Sequence, residues 1–144
     1  MTPRQISLVR ESFADVRDNA DAAAELFYAQ LFERQPHLRA LFADDLTAQR
    51  QSLMKMIGVA VGHLDRIDAL LPALHDLGRR HVGYGVQDEH YEPVGAALLA
   101  TLAKALGEQF SDEVRDAWSS AYGLLSSAMK AGAREYVESN ADAA

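Results

Sequence analysis

Apolar residues recur at three- and four-residue spacing along almost all of this chain, and nowhere do they alternate for long enough to make a half-buried strand. That restricts the fold to packed helices. Thr2, Pro3 and Gln5 form a helix start, a capping box with proline at the first helical position, and Ile6, Val9, Phe13 and Val16 then give an apolar stripe. A second helix is expected from near Asp21 through Leu31 and Phe32 to Gln35, where Pro36 breaks the pattern and restarts a short turn ending at Leu41 and Phe42. Asp44, Asp45 and Thr47 offer caps for a third, with the stripe Gln49, Leu53, Met56, Ile57, Ala60 and Leu64. Pro72 and Pro93 lie near the starts of two more, the latter with Tyr91, Val94, Leu98 and Leu102 on its inner face before Gly107 ends it. Ser111 caps the last helix, whose stripe is Val114, Trp118, Ala121, Tyr122, Leu125 and Met129, followed by Gly132 and Ala133, with fraying expected over residues 139–144.

One polar residue stands out against these stripes. At about 100° per residue, Leu70, Leu74, Leu77 and His81 fall within an arc of about 60° on one helical face, just before a break made by Gly83 and Gly85. The imidazole points where the core should be, so it must find either a hydrogen-bond partner or a metal. Tyr28 and Gln49 interrupt stripes on two other helices in the same way. Each has a plain structural reading: a core tyrosine reaching a backbone carbonyl, a glutamine at the rim reaching water, a histidine satisfied by a neighbour. Three such interruptions on three helices point to a shared cavity.

Composition removes most alternatives. The 144 residues suffice for one domain with a core of its own, expected to span 1–144. There is no cysteine, so disulfides, thiolate metal sites and cysteine nucleophiles are excluded. The start lacks a signal-peptide pattern and the longest apolar run, Met56 to Gly62, is too short to span a bilayer; a soluble, cytoplasmic protein with no membrane partner is expected. Fourteen basic residues against 21 acidic ones, with Arg79 and Arg80 the only adjacent basic pair, leave no cationic stripe for nucleic acid.

The remaining histidines, His37, His63, His75 and His90, have no ligand spacing with His81, which argues against zinc. A single-histidine site suits haem instead, because the porphyrin supplies four nitrogens and the protein needs one axial imidazole in an apolar slot. Phe42, Leu53, Met56 and Val94 are suited to line it. Carboxylate pairs of hydrolase type, glycine-rich phosphate loops and a Gly-x-Ser-x-Gly elbow are absent.

The stretch Leu-Gly-Arg-Arg-His-Val-Gly-Tyr-Gly-Val (77–86), with His90-Tyr91, Val94-Gly95, Leu98-Leu99 and then Ala117-Trp118 to Ala121-Tyr122-Gly123, resembles the bacterial single-domain globins and the haem domains of flavohaemoglobins, and is similar to neuroglobin in the second half. The resemblance covers nearly the whole length. It implies an all-α globin fold, a three-over-three helical sandwich around haem b (iron protoporphyrin IX). It makes His81 the proximal iron ligand, Phe42 the phenylalanine stacked on the haem, Tyr28, Gln49 and Leu53 the distal residues, and Val86, Tyr91 and Val94 proximal pocket residues. Arg80 falls near the haem edge, facing either a propionate or solvent.

The chain departs from that pattern in three ways. The glutamate that flavohaemoglobins set behind the proximal histidine is Ala133 here, and Glu135 falls about 200° further around the helix. The segment between Phe42 and Gln49 is shorter than in flavohaemoglobins. No flavin or nicotinamide reductase domain is expected with it, which is the third departure. With Gln49 where neuroglobin has its distal histidine, two-histidine ligation is not expected.

The resemblance implies reversible oxygen binding at a ferrous iron held by His81, with nitric oxide and carbon monoxide as further gas ligands. An alternative is a nitric oxide dioxygenase served by a separate reductase, and a further one a haem-based gas sensor. A haem-free helical interaction module is the reading from a different class. Monomer and homodimer are both compatible with the sequence.

Overall fold

The Thr2 hydroxyl accepts the Gln5 amide at 3.1 Å, and the Gln5 side chain accepts the Thr2 amide at 3.0 Å. This reciprocal pair opens α1 (Pro3–Arg17), which buries Val9, Phe13 and Val16 on one face. The computed structural model describes residues 1–143, with side chains through residue 138; the last helix runs on to Ala143, so the fraying expected over 139–143 does not appear in the backbone, and residue 144 lies outside the described residues. Helix α2 (Ala20–Arg34) stops ahead of Pro36, and a 3₁₀ segment, Pro36–Leu41, carries the chain to Phe42.

Helix α3 (Thr47–Gly62) is started by Asp45, whose carboxylate accepts both the amide and the hydroxyl of Thr47, at 2.9 and 2.7 Å. It ends earlier than its apolar stripe suggests, at a glycine, the poorest ordinary helix former. Leu64 therefore lies outside the helix, at the start of a 3₁₀ segment, Leu64–Leu70, though it is buried as expected. Leu70 belongs to that segment too, so only Leu74, Leu77 and His81 of the predicted face share α4 (Leu71–Gly83).

Gly85, at φ 91°, turns the chain where a side chain would be strained. A short turn, Asp88–His90, then feeds α5 (Tyr91–Leu106), which ends at Gly107. The last helix, α6 (Asp112–Ala143), begins where the Ser111 hydroxyl accepts the Val114 amide at 3.2 Å. Among the described residues there is no strand, and no helix is long and apolar enough to cross a membrane.

Two apolar clusters organise these elements. One joins α1, α3, α5 and α6 around Val9, Phe13, Leu102 and Trp118. A buried polar link crosses it: the Trp118 indole N–H donates to the Ser12 hydroxyl at 2.8 Å, and Ser12 in turn donates to the Leu8 carbonyl at 2.6 Å. The other joins α2 and α5 through Phe27, Tyr28, Leu31 and Ala97, with Phe42, Leu53 and Val94 against it. Helix α4 stands apart from both and packs chiefly on α6.

That contact is close because glycines make it. A β-carbon on Gly78 would lie 1.9 Å from the Met129 carbonyl oxygen, and one on Gly132 would lie 2.1 Å from the His75 carbonyl oxygen. The two backbones touch at both points. His81 lies one turn beyond Gly78, so this contact sets where the imidazole stands.

Candidate functional site

Between α4 and the rest of the bundle lies a cavity of about 600 Å³, within the range of small-molecule sites. All nine of the residues singled out in the sequence line it: Tyr28, Phe42, Gln49, Leu53, Arg80, His81, Val86, Tyr91 and Val94. Met56, Leu74, Leu77 and Leu98 add to its apolar wall.

At His81, Nδ1 stands 2.7 Å from the carbonyl oxygen of Leu77, one turn back on α4. A carbonyl only accepts, so Nδ1 carries the ring proton and Nε2 keeps its lone pair. Burial holds the imidazole below its ordinary pKa, opposed by the Leu77 bond and joined by the nearby Arg80 charge. The ring is thus a neutral imidazole with one free nitrogen, the form that binds a metal. On the far side of the turn, the Val86 amide returns to the His81 carbonyl at 3.0 Å, which fixes Val86 beside it.

Tyr28 reaches the cavity from α2 and is 4% exposed. Burial pushes its phenol pKa up, partly offset by the neighbouring Gln49 side chain. Its ring packs edge-on to Phe27 and Phe42, with centroids at 5.0 and 5.6 Å. Phe42 is held by a device the sequence reading missed. The guanidinium of Arg39 lies over the Phe32 ring and donates to the carbonyls of Ala43 and Asp44, at 2.8 and 3.0 Å, latching the corner between α2 and α3.

Gln49 also lines the cavity but is exposed. It stands at the cavity edge with its side chain beside the Tyr28 phenol.

Ser52, Lys55 and His90 line the cavity too and were not foreseen. Together with Gln49 and Arg80 they give it a set of donors, and no Asp or Glu lines it among the described residues, although the chain has 21 acids. Arg80 is already engaged by Asp76 at 3.2 Å, both exposed. Deeper in, the Tyr91 hydroxyl is buried without a hydrogen-bond partner among the described residues. Its ring lies under Lys130 at 5.5 Å, and the Tyr122 hydroxyl donates to its backbone carbonyl. Ala133, on α6, offers no carboxylate.

This donor set fits haem. One neutral imidazole supplies one axial nitrogen, the walls are apolar, and donors without acids suit the two carboxylates of a porphyrin. No group of three or more His, Asp or Glu side chains forms a metal cage of its own among the described residues.

Comparison with known proteins agrees. The globin family matches residues 25–129. The flavohemoprotein of Bordetella parapertussis is 34% identical over 128 residues, covering 87% of this chain and 32% of its own length. That of Chromobacterium violaceum is 35% identical over 122 residues, covering 83% and 30%. The chain thus spans about a third of the length of these relatives. Among solved structures, a bacterial globin from Campylobacter jejuni superposes with a TM-score of 0.85 at 22% identity, covering 95% of this chain and 99% of that one. An engineered carbene transferase, described as a putative nitric oxide dioxygenase from Rhodothermus marinus, gives 0.88 at 25% identity, covering 98% and 99%. Helical throughout, with a histidine-bearing cavity between α4 and the bundle and this kinship, the chain belongs to the globin family, whose membership implies a haem cofactor.

Proposed function

We propose that residues 1–144 constitute one globin domain that holds haem b through His81 and binds oxygen reversibly, with Tyr28 as the principal hydrogen-bond donor to the gas. The observation that carries this reading is a single cavity lined both by a neutral imidazole with a free nitrogen and by a sealed phenol from a different helix. His81 would hold the haem, which when bound would supply an iron able to take a diatomic gas.

The chain's own residues do the rest. The Leu77 carbonyl holds the His81 proton on Nδ1, so no proton has to leave before Nε2 ligates. Burial keeps the Tyr28 phenol protonated, hence a donor, across the neutral range. Leu53, Met56, Val94 and Phe42 exclude water, which strengthens any hydrogen bond formed inside. Gln49 is a second donor, weaker because solvent competes for it.

A hydrogen bond of about 1 kcal/mol slows release roughly fivefold. Stopped-flow oxygen release from Tyr28→Phe is therefore expected to be at least about fivefold faster than from wild type; equal rates would remove Tyr28 from the ligand's surroundings. A Soret band lost in His81→Ala tests the haem itself.

A second reading has its own support in the kinship with flavohemoproteins and with the Rhodothermus protein. In it the domain oxidises nitric oxide, NO + O₂ + e⁻ → NO₃⁻, with the electron drawn from a separate reductase. Ala133, at the position where the flavohaemoglobin resemblance calls for a glutamate, counts against this reading, since alanine brings no carboxylate to enrich the imidazole. Sustained nitrate formation with a flavin reductase supports it; a single stoichiometric burst rules it out.

A further inference from the structure

The cavity holds two histidines, and they are held in opposite proton states. At His81 the partner is an acceptor, the Leu77 carbonyl, so Nδ1 carries the proton. At His90 the partner is a donor: the backbone N–H of Gln87 reaches His90 Nδ1 at 3.0 Å. That nitrogen must present its lone pair, so a neutral His90 carries its proton on Nε2. One ring offers a lone pair and the other an N–H.

The arrangement at His90 is built into the chain. Gln87 and His90 form a reciprocal box, in which the Gln87 side chain accepts the His90 amide while the His90 ring accepts the Gln87 amide. The turn that leads into α5 therefore depends on the same bond that fixes the tautomer. From the other side, the His37 ring, on the segment after α2, lies 6.0 Å away. His90 is half-buried and lines the cavity.

A neutral imidazole with its proton on Nε2 cannot ligate a metal through that atom, so His90 does not rival His81 for iron. It presents a donor at the cavity wall. No Asp or Glu lining the cavity supplies one among the described residues. Of the two cations that line the cavity, Lys55 and Arg80, Arg80 is shared with Asp76.

We propose that His90 donates its Nε2 proton to a carboxylate of the porphyrin, and that this bond makes the cavity select the free dicarboxylate over an esterified or carboxylate-free macrocycle. The proposal rests on the haem reading above. It assigns to His90 a part in cofactor choice and retention, separate from gas binding.

The test is hemin transfer from the loaded protein to an excess of apomyoglobin, followed at the Soret band. Wild type, His90→Phe and His90→Asp are each loaded with hemin or with hemin dimethyl ester. Phenylalanine keeps the ring volume but loses both bonds; aspartate keeps an acceptor for the Gln87 amide and loses the donor. With hemin, both variants are expected to release about tenfold faster than wild type, the scale of a hydrogen bond to a charged group. With the ester, wild type and variants are expected to agree within about twofold. Thermal melting of the hemin-free proteins isolates the turn: only His90→Phe should lose stability there. Equal hemin release by wild type and His90→Asp overturns the proposal, as does an equal acceleration with the ester, which would make His90 a packing residue. Wild-type protein that takes up no hemin at all would instead sink the haem reading beneath it.

Discussion

Gly78 and Met129 meet backbone to backbone, so that a β-carbon on the glycine would fall 1.9 Å from the methionine carbonyl oxygen. Backbone cannot swing aside as a side chain can, so Gly78→Ala must push α4 off α6. A loss of about 3 kcal/mol is expected, the upper part of the range for overpacking, or about 10 °C in melting temperature. Gly132→Ala, against the His75 carbonyl oxygen, should behave alike. Gly123, also on α6, meets nothing within 4 Å, and Gly123→Ala should instead stabilise by up to about 1 kcal/mol through helix propensity. Thermal melts of the three variants check the opposite signs.

Ser12→Ala leaves the Trp118 indole N–H buried without its acceptor. The expected cost is about 1–3 kcal/mol, measured by urea unfolding. In Ser12→Ala with Trp118→Phe, neither polar partner remains, so part of that loss should return. Strictly additive effects would show that the bond contributes nothing.

The bond from His81 to a neutral carbonyl predicts an iron–histidine stretch in the range of oxygen-binding globins when the ferrous haem protein is examined by resonance Raman. A stretch in the peroxidase range would show that some carboxylate reaches the ring.

Burial drives the Tyr122 phenol pKa well above its ordinary value, reinforced by the Tyr91 phenol nearby. The unfolded chain ionises near pH 10 while the folded protein keeps this proton, so folding stability is full below that pH and falls as pH rises beyond it. Tyr28 and Tyr91, raised mainly by burial, act in the same direction. Circular dichroism against phenolate absorbance should show Tyr122 ionising only as helix is lost. Its ionisation with helix intact would contradict the burial that the structure assigns it.

What was legible in the sequence was local. Thr2 with Gln5, Ser111 and Gly107 each start or stop a helix by chemistry within a few residues, and all three act as read. The cavity lining followed from inward polar residues and from resemblance, and the nine residues do converge. Leu64 and Leu70 misled because an apolar stripe runs on unbroken into 3₁₀ segments whose angular step differs. The contact of Gly78 and Gly132 with the opposite backbones lies beyond any local signal, since the two glycines are far apart in the chain. Gln49 was read as a distal residue from resemblance, since helix periodicity gives a facing direction and not how deep a side chain on α3 reaches into the cavity. The donor role proposed for His90 had only a faint trace, Gln87 three residues before it, since glutamine and histidine are not the usual residues of a capping box.

The cavity of about 600 Å³ is interior volume that the chain encloses without filling. Side chains that elsewhere would interlock with one another instead face a space shaped for something the gene does not encode, so the polypeptide is one half of its own nucleus. Folding and cofactor capture are then one equilibrium, and α4, anchored chiefly to α6, is the element expected to loosen first when the missing half is withdrawn.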